Sequence, residues 1–340
     1  MINTIYRLKS PRRFEIAFED MPIGEDIIVR PLRLSICNAD QRYYQGTRDA
    51  KVLKEKLPMA LIHEAVGEVV YSPSPLFKPS DRVVMVPNIP TEQDEYIAEN
   101  YLRSSKFCGS SADGFMQEYY SISPERLVGL PENIDLDVAA FTEIVSVSVH
   151  AITRFLSISH QRRDDIGVWG DGNLSFITSL LLTKMLPDSR VHIFGINPEK
   201  LSDFSFAYDT HLTTDIPKNL TLDHAFECVG ASGSPIAIEQ IIGLIRPEGT
   251  ISILGVSEYP VPINTRMILE KGLRLFGTSR SGKVDFDKTI ELYQQYPDIP
   301  ENLSRLVGNI VEINEFSDLK KAFETDIRKS LGKTIMHWNI

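Results

Sequence analysis

Apolar and polar positions follow one another in short runs up to about Leu130, and Pro, Gly and Asn interrupt these runs. Segments such as Asp26–Arg30, Ala65–Tyr71 and Arg82–Val86 have the length and composition of β-strands. The pattern changes over Asp137–Leu156, where apolar residues recur at helical spacing. The sequence therefore predicts an irregular, β-rich first domain that ends at a helix.

A regular alternation of strand and helix patterns follows. Ile166–Trp169 has the composition of a short strand, and Asn173–Met185 that of an apolar helix. The later strand patterns are Arg190–Phe194, His224–Cys228, Thr250–Leu254 and Leu273–Phe276. Strands that alternate with helices favour the α/β class, with a doubly wound parallel sheet.

The chain leaves this alternation after Ser281. Helix patterns occur around Phe286–Tyr296 and Ser317–Asp326, and we expect the strand pattern Lys333–Trp338 to return to the first domain. We therefore predict one domain from residues 1–146 and 281–340, with a dinucleotide-binding domain of residues 147–280 inserted into it.

Composition narrows the class of partner. The formal net charge of -10 argues against binding to nucleic acid or to anionic membranes. Three cysteines, Cys37, Cys108 and Cys228, are too few for a disulfide framework and indicate a reducing compartment. No apolar run resembles a signal peptide or a membrane span, so we expect a cytoplasmic protein.

A glycine-rich turn lies where the first strand of the alternating region becomes a helix. Gly170 and Gly172, followed by Asn173 and Leu174, would let the backbone approach a pyrophosphate at a helix N-terminus. Ser175 fills the third small position of this motif. An ordinary βα turn has a similar composition, but the βα units that follow favour a dinucleotide site.

The end of the next strand pattern bears on the choice of dinucleotide. An NAD site places an acid there, whereas this chain has Gly195, and Lys200 could attract a 2′-phosphate. This favours NADP(H), the alternative being that Lys200 is a solvated helix residue. Gly230, Gly255 and Val256 follow later strands at the same sheet edge, so we expect them to contact the cofactor as well.

Metal-ligating residue types are scattered over the first domain. Cys37, His63, Glu64 and Glu143 offer the sulfur, nitrogen and oxygen donors that catalytic zinc takes, usually three at a time. Their wide spacing leaves open whether they are ligands or residues of the core.

The order of Cys37, His63–Glu64 and the glycine-rich segment resembles the zinc-containing alcohol dehydrogenases of the medium-chain dehydrogenase/reductase family, over essentially the whole chain. The segment Thr142–Ala151 is similar to the motif of the polyol dehydrogenases in that family. The resemblance implies a GroES-like catalytic domain built from both chain ends and an inserted Rossmann domain.

The resemblance also implies roles for individual residues. Cys37, His63 and Glu143 would bind one catalytic zinc ion, with Glu64 as a fourth ligand or a nearby carboxylate. Asp40 would orient His63 or balance charge at the site. Tyr43 matches a tyrosine near the active site of the polyol dehydrogenases, although an aromatic packing role fits it equally well.

Two departures from the family pattern matter. Ala39 stands where many members carry the Ser or Thr that begins a proton relay, so we expect Glu64 with metal-bound water, or else Tyr43, to deliver the proton. The lobe Asn88–Ala112 contains only Cys108, whereas many members have four cysteines there. We therefore predict one zinc ion per chain and no structural zinc.

A narrower resemblance involves Ala39–Tyr44 and Ser279–Gly282, among other stretches. They are similar to bacterial NADPH-dependent reductases that convert D-ribulose 5-phosphate to D-ribitol 5-phosphate for ribitol-phosphate polymers of the cell envelope, such as teichoic acid or capsule. A phosphorylated pentulose needs a cation, and the candidates are Arg42, Arg280 and Lys283.

Two other functions remain open at this point. One is a zinc-dependent polyol or alcohol dehydrogenase that uses NAD and an unphosphorylated substrate. The other is a non-catalytic dinucleotide-binding sensor with the same fold. The family also implies a homodimer or tetramer, and a ribitol-5-phosphate cytidylyltransferase as a functional partner.

Overall fold

The computed structural model describes all 340 residues and contains 18 strands and 11 α-helices. The strands are β1 (Ile2–Ser10), β2 (Arg13–Asp20), β3 (Ile27–Ile36), β4 (Met59–Ala60), β5 (Glu64–Tyr71), β6 (Arg82–Met85), β7 (Asn88–Ile89), β8 (Lys106–Phe107), β9 (Tyr120–Ile122), β10 (Leu127–Gly129), β11 (Asp165–Trp169), β12 (Arg190–Gly195), β13 (Asp209–Leu212), β14 (Leu222–Glu227), β15 (Ile245–Ile253), β16 (Arg274–Gly277), β17 (Val307–Ile313) and β18 (Lys333–Trp338). The helices are α1 (Asn38–Gln45), α2 (Ala50–Lys56), α3 (Leu136–Ala139), α4 (Thr142–Ile158), α5 (Asn173–Met185), α6 (Pro198–Leu201), α7 (Ser234–Leu244), α8 (Thr265–Lys271), α9 (Lys283–Gln295), α10 (Asp298–Leu303) and α11 (Phe316–Ile327).

The chain divides into two units. The first unit comprises Met1–Ser146 and Arg280–Ile340, and the second comprises Val147–Ser279. No helix of either unit has the length and apolar character needed to cross a bilayer.

The main sheet of the first unit has the strand order β10-β6-β5-β3-β18-β17, and β9 pairs with one end of β3. A second sheet has the order β2-β1-β4. Strand β18 runs antiparallel to β3, with Thr334 opposite Ile36, and parallel to β17. The predicted return of the last strand to the first domain is thus confirmed, and it joins residues almost 300 positions apart.

The helix predicted over Asp137–Leu156 is in fact two helices. Ala140 and Phe141 separate α3 from α4, and the hydroxyl of Thr142 donates to the carbonyl oxygen of Ala139 at 2.8 Å. Side-chain bonds of this kind compete with the helical backbone ladder, which explains the interruption. The new start places Glu143 in the first turn of α4.

The sheet of the second unit is wholly parallel, with the order β13-β12-β11-β14-β15-β16. Counted within the unit, this is the order 3-2-1-4-5-6 of doubly wound dinucleotide-binding sheets. The order in which the chain adds strands to the sheet reverses between β11 and β14. The predicted doubly wound sheet is confirmed. The sequence pattern did not predict β13, because this short edge strand is mostly polar and contains no run of apolar residues.

Packing explains why the middle strands of this sheet read as continuous apolar runs. Every residue of β11 and β14 is buried, as expected for strands covered on both faces. Trp169 stacks on Phe194 with ring centroids 3.8 Å apart, and its indole N–H donates to Gln240 of α7. Ile238 and Ile241 of α7 complete this core.

Candidate metal centre and dinucleotide site

Cys37 follows β3 directly and forms the N-cap of α1. Its backbone N–H donates to one carboxylate oxygen of Asp40 at 3.0 Å. The other oxygen of Asp40 accepts from the backbone N–H of Ile62 at 3.1 Å. One buried carboxylate therefore ties the segment that carries Cys37 to the segment that carries His63.

Three predicted ligands converge in the first unit. The sulfur of Cys37, a ring nitrogen of His63 and a carboxylate oxygen of Glu64 all lie within 4.8 Å of one another, and we refer to these three residues as the Cys37 cluster. Sulfur, nitrogen and oxygen donors at such distances suit a single zinc ion. The donor set thus fits the metal that the family resemblance implies.

Asp40 also supports His63. Its carboxylate oxygen lies 3.6 Å from Nδ1 of the imidazole. Burial disfavours the charged ring, but Asp40 and Cys37 together raise the pKa of His63 well above its usual value. A cation is thus favoured at this position, in keeping with a metal that would displace the imidazole proton.

Glu64 is fixed at both carboxylate oxygens. The hydroxyl of Ser35 donates to one oxygen at 2.6 Å, and the ammonium of Lys333 donates to the other at 2.8 Å. Burial opposes the charge on Lys333, yet Glu64 and Cys37 raise the pKa of this lysine. Lys333 was not predicted from the sequence, because its partner depends on the pairing of β18 with β3. A lysine as the first residue of a buried strand nevertheless indicates a buried charged partner.

Glu143 lies close to the Cys37 cluster but is not one of its three members. Burial raises the pKa of this carboxyl to about 7, the charge of His63 lowers it, and that of Glu64 raises it further. Its helical turn is fixed by Ser146, whose hydroxyl hydrogen-bonds to that of Ser281 at 2.7 Å. The group of side chains that could hold a metal ion therefore contains Glu64, and Glu143 is a neighbouring carboxyl.

Arg280 is the phosphate-site candidate that reaches this region. Its guanidinium lies over the ring of Phe107 at 4.5 Å, and the same ring is 5.4 Å from that of His63. Burial lowers the pKa of Arg280, while the charges of Glu143 and Tyr43 raise it. Arg280 and Tyr43 thus lie beside the candidate metal centre.

The other two phosphate-site candidates are placed differently. The ammonium of Lys283 pairs with Asp287, one turn further along α9, at 2.6 and 2.8 Å. Both residues line a cleft of about 490 Å³ that contains no member of the Cys37 cluster. Arg42 lies on α1, half-buried, next to the buried Tyr43.

Asn88 is a polar residue to which the sequence pattern assigns no role. It is fully buried, and neither atom of its side-chain amide has a protein partner. Its backbone lies opposite Phe107 in the β7–β8 pair. Buried amides are nearly always hydrogen-bonded, so we expect water or a ligand from outside the chain to hydrogen-bond to the side chain of Asn88.

The lobe Asn88–Ala112 contains the β7–β8 pair and only one thiol. The sulfur of Cys108 lies 3.1 Å from the hydroxyl of Tyr120. Burial raises the pKa of the Cys108 thiol to about 11. This thiol is therefore protonated at neutral pH and serves as a packed, hydrogen-bonded side chain.

The glycine-rich turn of the second unit has the geometry that a pyrophosphate site requires. Gly170 has a φ of 125°, and a Cβ there would lie 3.3 Å from the backbone of Cys228. Ser175 donates its hydroxyl to the carbonyl oxygen of Gly170 at 2.5 Å, a role that a glycine in the third position could not fill.

The start of α5 is open to an anion. The helix begins at Asn173 and Leu174, and its N-cap residue Gly172 provides no side-chain cap. A Cβ at Gly172 would meet nothing within 4 Å. Uncapped backbone N–H groups at a helix N-terminus bind phosphate oxygens, so this end of the helix fits the dinucleotide.

Packing adds a reason for Gly195 that the sequence did not reveal. A Cβ at this position would lie 2.8 Å from the Cβ of Asp171. The carboxylate of Asp171 accepts from the backbone N–H groups of Ile196 and Asn197, both at 2.9 Å. Lys200 follows on α6, half-buried, one turn beyond this junction.

Glu227 is a second buried residue that was missed. Its carboxylate accepts from the backbone N–H groups of Val229 at 3.0 Å, Gly230 at 2.8 Å and Gly255 at 3.2 Å. One side chain therefore holds together the two turns that were predicted to contact the cofactor. Val256 follows and is mostly exposed, in keeping with a residue that meets a ligand.

Comparison with known proteins places the chain. Residues 24–132 match the alcohol dehydrogenase GroES-like domain, and residues 196–295 match the zinc-binding dehydrogenase family. The ribulose-5-phosphate reductase of Bacillus spizizenii is 53% identical to this chain over 341 residues, and the match covers 100% of each of the two chains. Ribulose-5-phosphate reductase 1 of Staphylococcus aureus is 53% identical, with 99% of each chain covered.

Solved structures agree. The crystal structure of S. aureus TarJ in complex with NADPH superposes with a TM-score of 0.89 at 48% identity, covering 100% of both chains. Galactitol-1-phosphate dehydrogenase from Escherichia coli, at 17% identity and a TM-score of 0.79, shares the fold over 98% of this chain and 100% of its own. The resemblance seen in the sequence is confirmed: the chain belongs to the zinc-containing alcohol dehydrogenases of the medium-chain dehydrogenase/reductase family.

Proposed function

We propose that this protein reduces D-ribulose 5-phosphate to D-ribitol 5-phosphate with NADPH. The carrying observation is the full-length similarity to ribulose-5-phosphate reductases, one of which is solved with NADPH. The Cys37 cluster supports it independently, because a protein that only senses a dinucleotide has no need for sulfur, nitrogen and oxygen donors within 4.8 Å of one another.

Cys37, His63 and Glu64 would hold a catalytic zinc ion, with Glu143 as the carboxyl that exchanges with Glu64 or with water. When bound, zinc supplies a Lewis acid that stabilises negative charge on the carbonyl oxygen of the substrate. The chain itself balances the charges of the ligands, since Lys333 pairs with Glu64 at 2.8 Å. Asp40 keeps His63 in place through its contact with Nδ1.

The second unit would bind NADPH at the start of α5 and along the turns that Glu227 holds. The cofactor supplies the hydride, and the protein supplies position and electrostatics. Gly195 itself supplies no acid for the adenosine ribose, and the neighbouring carboxylate of Asp171 accepts from the backbone N–H groups of Ile196 and Asn197. Lys200 on the following helix offers a cation for the 2′-phosphate.

The proton for the new hydroxyl needs a donor other than Ala39. Both oxygens of Glu64 accept hydrogen bonds, from Ser35 and Lys333, so this carboxylate acts as an acceptor. Of the two candidates from the sequence, this leaves the hydroxyl of Tyr43 as the proposed donor, beside Arg280. Arg280 would bind the substrate phosphate, because its guanidinium is oriented by stacking on Phe107.

The proposed reaction belongs to the synthesis of ribitol-phosphate polymers of the cell envelope. A cytidylyltransferase that activates ribitol 5-phosphate would consume the product. We place the reaction in the cytoplasm, consistent with three cysteines that form no disulfide. A homodimer or tetramer is the proposed assembly.

The direct test is NADPH oxidation with a panel of phosphorylated and free pentuloses and pentoses, run also with NADH and after chelation. We expect turnover with D-ribulose 5-phosphate and NADPH, little with D-ribulose or NADH, and loss of activity on chelation that added zinc restores. Preference for a free polyol with NAD would instead favour the polyol dehydrogenase. Tight NADPH binding without turnover of any substrate would favour the sensor.

The phosphate assignment has its own arm in this assay. Arg280→Ala should raise the KM for D-ribulose 5-phosphate by about 10–100-fold, the usual cost of a lost hydrogen bond to a charged group. Lys283→Ala is the matched control, because this lysine pairs with Asp287 in a separate cleft and should leave the KM unchanged. An unaltered KM in Arg280→Ala contradicts the assignment.

A further inference from the structure

A second group of metal-ligating side chains lies in the second unit. Ligand atoms of His192, Asp209 and His211 all lie within 4.8 Å of one another. We refer to these three residues as the His192 cluster. None of them belongs to the dinucleotide site or to the Cys37 cluster.

Strand geometry, not a loop, brings these residues together. The parallel pairing of β12 and β13 sets His192 opposite Asp209 and Phe194 opposite His211. Residues two apart on a strand share a face, so Asp209 and His211 face the same way as His192. The backbone therefore fixes the spacing of the three ligands.

The protonation of His192 is set by a carboxylate. Its Nε2 lies 3.1 Å from Asp165, and Asp165 also accepts two bonds from the guanidinium of Arg190, at 2.8 and 2.7 Å. An ionised carboxylate can only accept, so Nε2 of His192 carries the proton and donates it. Nδ1 of His192 is left with a lone pair, as in the carboxylate–histidine–metal arrangement of many metal sites.

That lone pair points at the second histidine. Nδ1 of His192 lies 3.2 Å from Nε2 of His211, and Nε2 of His211 lies 3.7 Å from a carboxylate oxygen of Asp209. Nitrogen and oxygen ligands of a tetrahedral zinc ion lie about 3.3–3.5 Å apart, from bond lengths of about 2.0–2.2 Å. These two separations are within a few tenths of an ångström of this geometry, and the ligand atoms of His192 and Asp209 lie within 4.8 Å of each other.

The surroundings orient both rings and leave a way in for an ion. His211 stacks on Phe194 with ring centroids 5.0 Å apart, and His192 meets the edge of Tyr208 at 5.3 Å. Both imidazoles are buried, whereas the side chain of Asp209 is 56% exposed.

We propose that His192, Asp209 and His211 form a binding site for a zinc ion, with Asp165 as the carboxylate that orients His192. Two ligands come from the edge strand β13 and one from β12, so the ion fastens the edge of the sheet. In its absence, Nε2–H of His211 donates to Nδ1 of His192. On binding, that proton moves to Nδ1 of His211 and the ion takes its place. The one zinc ion per chain predicted from the sequence then becomes two.

The test is zinc stoichiometry and thermal stability of the full-length protein. After equilibration with zinc and removal of loosely bound metal, wild type should hold one equivalent more than His211→Phe, which retains an aromatic ring against Phe194. Asp209→Asn changes an exposed residue and should lose most of the same equivalent. Zinc added to the chelated protein should raise the melting temperature of wild type more than that of either variant.

His160→Gln is the control, since this histidine of the same unit lies outside the cluster and should bind metal as wild type does. NADPH oxidation by the zinc-loaded variants should match wild type, because the Cys37 cluster is untouched. Equal stoichiometry and equal thermal shifts in wild type, His211→Phe and Asp209→Asn would overturn the proposal and leave a hydrogen-bonded histidine pair. Failure of the proposed reductase activity would not affect this outcome.

Discussion

The Cys37 cluster and the His192 cluster each hold three ligand atoms within the same 4.8 Å, but the chain builds them by opposite means. The first gathers residues from separate segments of the first unit and adds the buried ammonium of Lys333. The second lies on two adjacent strands, and its supporting cation, Arg190, has a side chain that is 49% exposed.

The difference indicates in which region the loss of one charged partner costs more stability. In the Cys37 cluster, Glu64 and Lys333 are both buried, so neither charge can be satisfied by water if the other is removed. Beside the His192 cluster, Asp165 would keep two other partners if Arg190 were lost, namely Nε2 of His192 at 3.1 Å and the guanidinium of Arg246 at 3.9 Å. Buried pairs are costly to break from one side, whereas exposed pairs contribute little.

The largest effect predicted from this comparison is that of Lys333→Met. This change leaves the carboxylate of Glu64 buried with only Ser35 as a donor, and should lower the free energy of unfolding by about 3–5 kcal/mol. The measurement is urea denaturation of chelator-treated protein. The two tryptophans lie one in each unit, so Trp338 fluorescence in a Trp169→Phe background reports the first unit alone.

Two further variants sharpen this result. Lys320→Met on the exposed face of α11 is the matched control and should change stability by less than about 0.5 kcal/mol. Glu64→Gln added to Lys333→Met should restore much of the loss, because it removes the unpaired charge. If Lys333→Met unfolded at the same urea concentration as wild type, the contrast between the two clusters would be wrong.

A second, smaller effect concerns Asp223, which fixes the strand that carries Asp165. The carboxylate of Asp223 is buried and accepts from Arg162 and Arg246, both at 2.7 Å, and from the backbone N–H of Asp165 at 3.1 Å. Asp223→Asn should lower the free energy of unfolding at neutral pH by about 1.5–3 kcal/mol, the value of hydrogen bonds to a charged group.

The pH dependence of this effect follows from the pKa of Asp223. Burial raises this pKa, but the hydrogen bonds from Arg246, the Asp165 backbone and Arg162 outweigh it and lower the value. The stabilisation is therefore complete above the unfolded pKa of about 3.9 and is lost as the pH falls through the lower folded value. The gap between wild type and Asp223→Asn, followed by Trp169 fluorescence in a Trp338→Phe background, should be constant from pH 7 to 5 and narrow below pH 4. A gap that widened with acid would contradict this reading.

The smallest expected effect is that of Arg190→Met. Its guanidinium is exposed, so removing it should leave the stability of the second unit close to that of wild type, far from the loss at Lys333. The same tryptophan fluorescence measures it. A loss as large as that of Lys333→Met would show that Asp165 depends on one partner, and would end the distinction between the two regions.

Much of the fold followed from pattern, and the failures have physical reasons. The alternation of apolar strands and helices was sufficient for the second unit, because strands buried on both faces are continuous apolar runs. Strand β13 escaped because it lies at an edge and alternates Asp209 and His211 with exposed or half-buried positions. The break between α3 and α4 depends on a hydroxyl bond that helical periodicity cannot reveal.

The candidate site could be predicted from the sequence only in part. Nothing in the spacing of Cys37, His63 and Glu64 distinguishes ligands from core residues, and the family resemblance was needed to join them. Lys333 and Glu227 were not foreseen, because their partners are set by register and by turn geometry. The His192 cluster was hidden for the same reason: Asp209 and His211 both lie on the strand that the pattern missed.

The position of Lys333 in the chain has a consequence for biosynthesis. At about 5–20 residues per second, a ribosome takes roughly 15–60 s to proceed from Cys37 to Lys333. During that interval the nascent chain carries the thiol of Cys37 and the carboxylate of Glu64 without the ammonium group of Lys333, which stabilises them together in the folded protein. The candidate metal centre is therefore completed only after residue 333 has been synthesised, and a stop codon before that residue would release both ligand segments without their counter-charge.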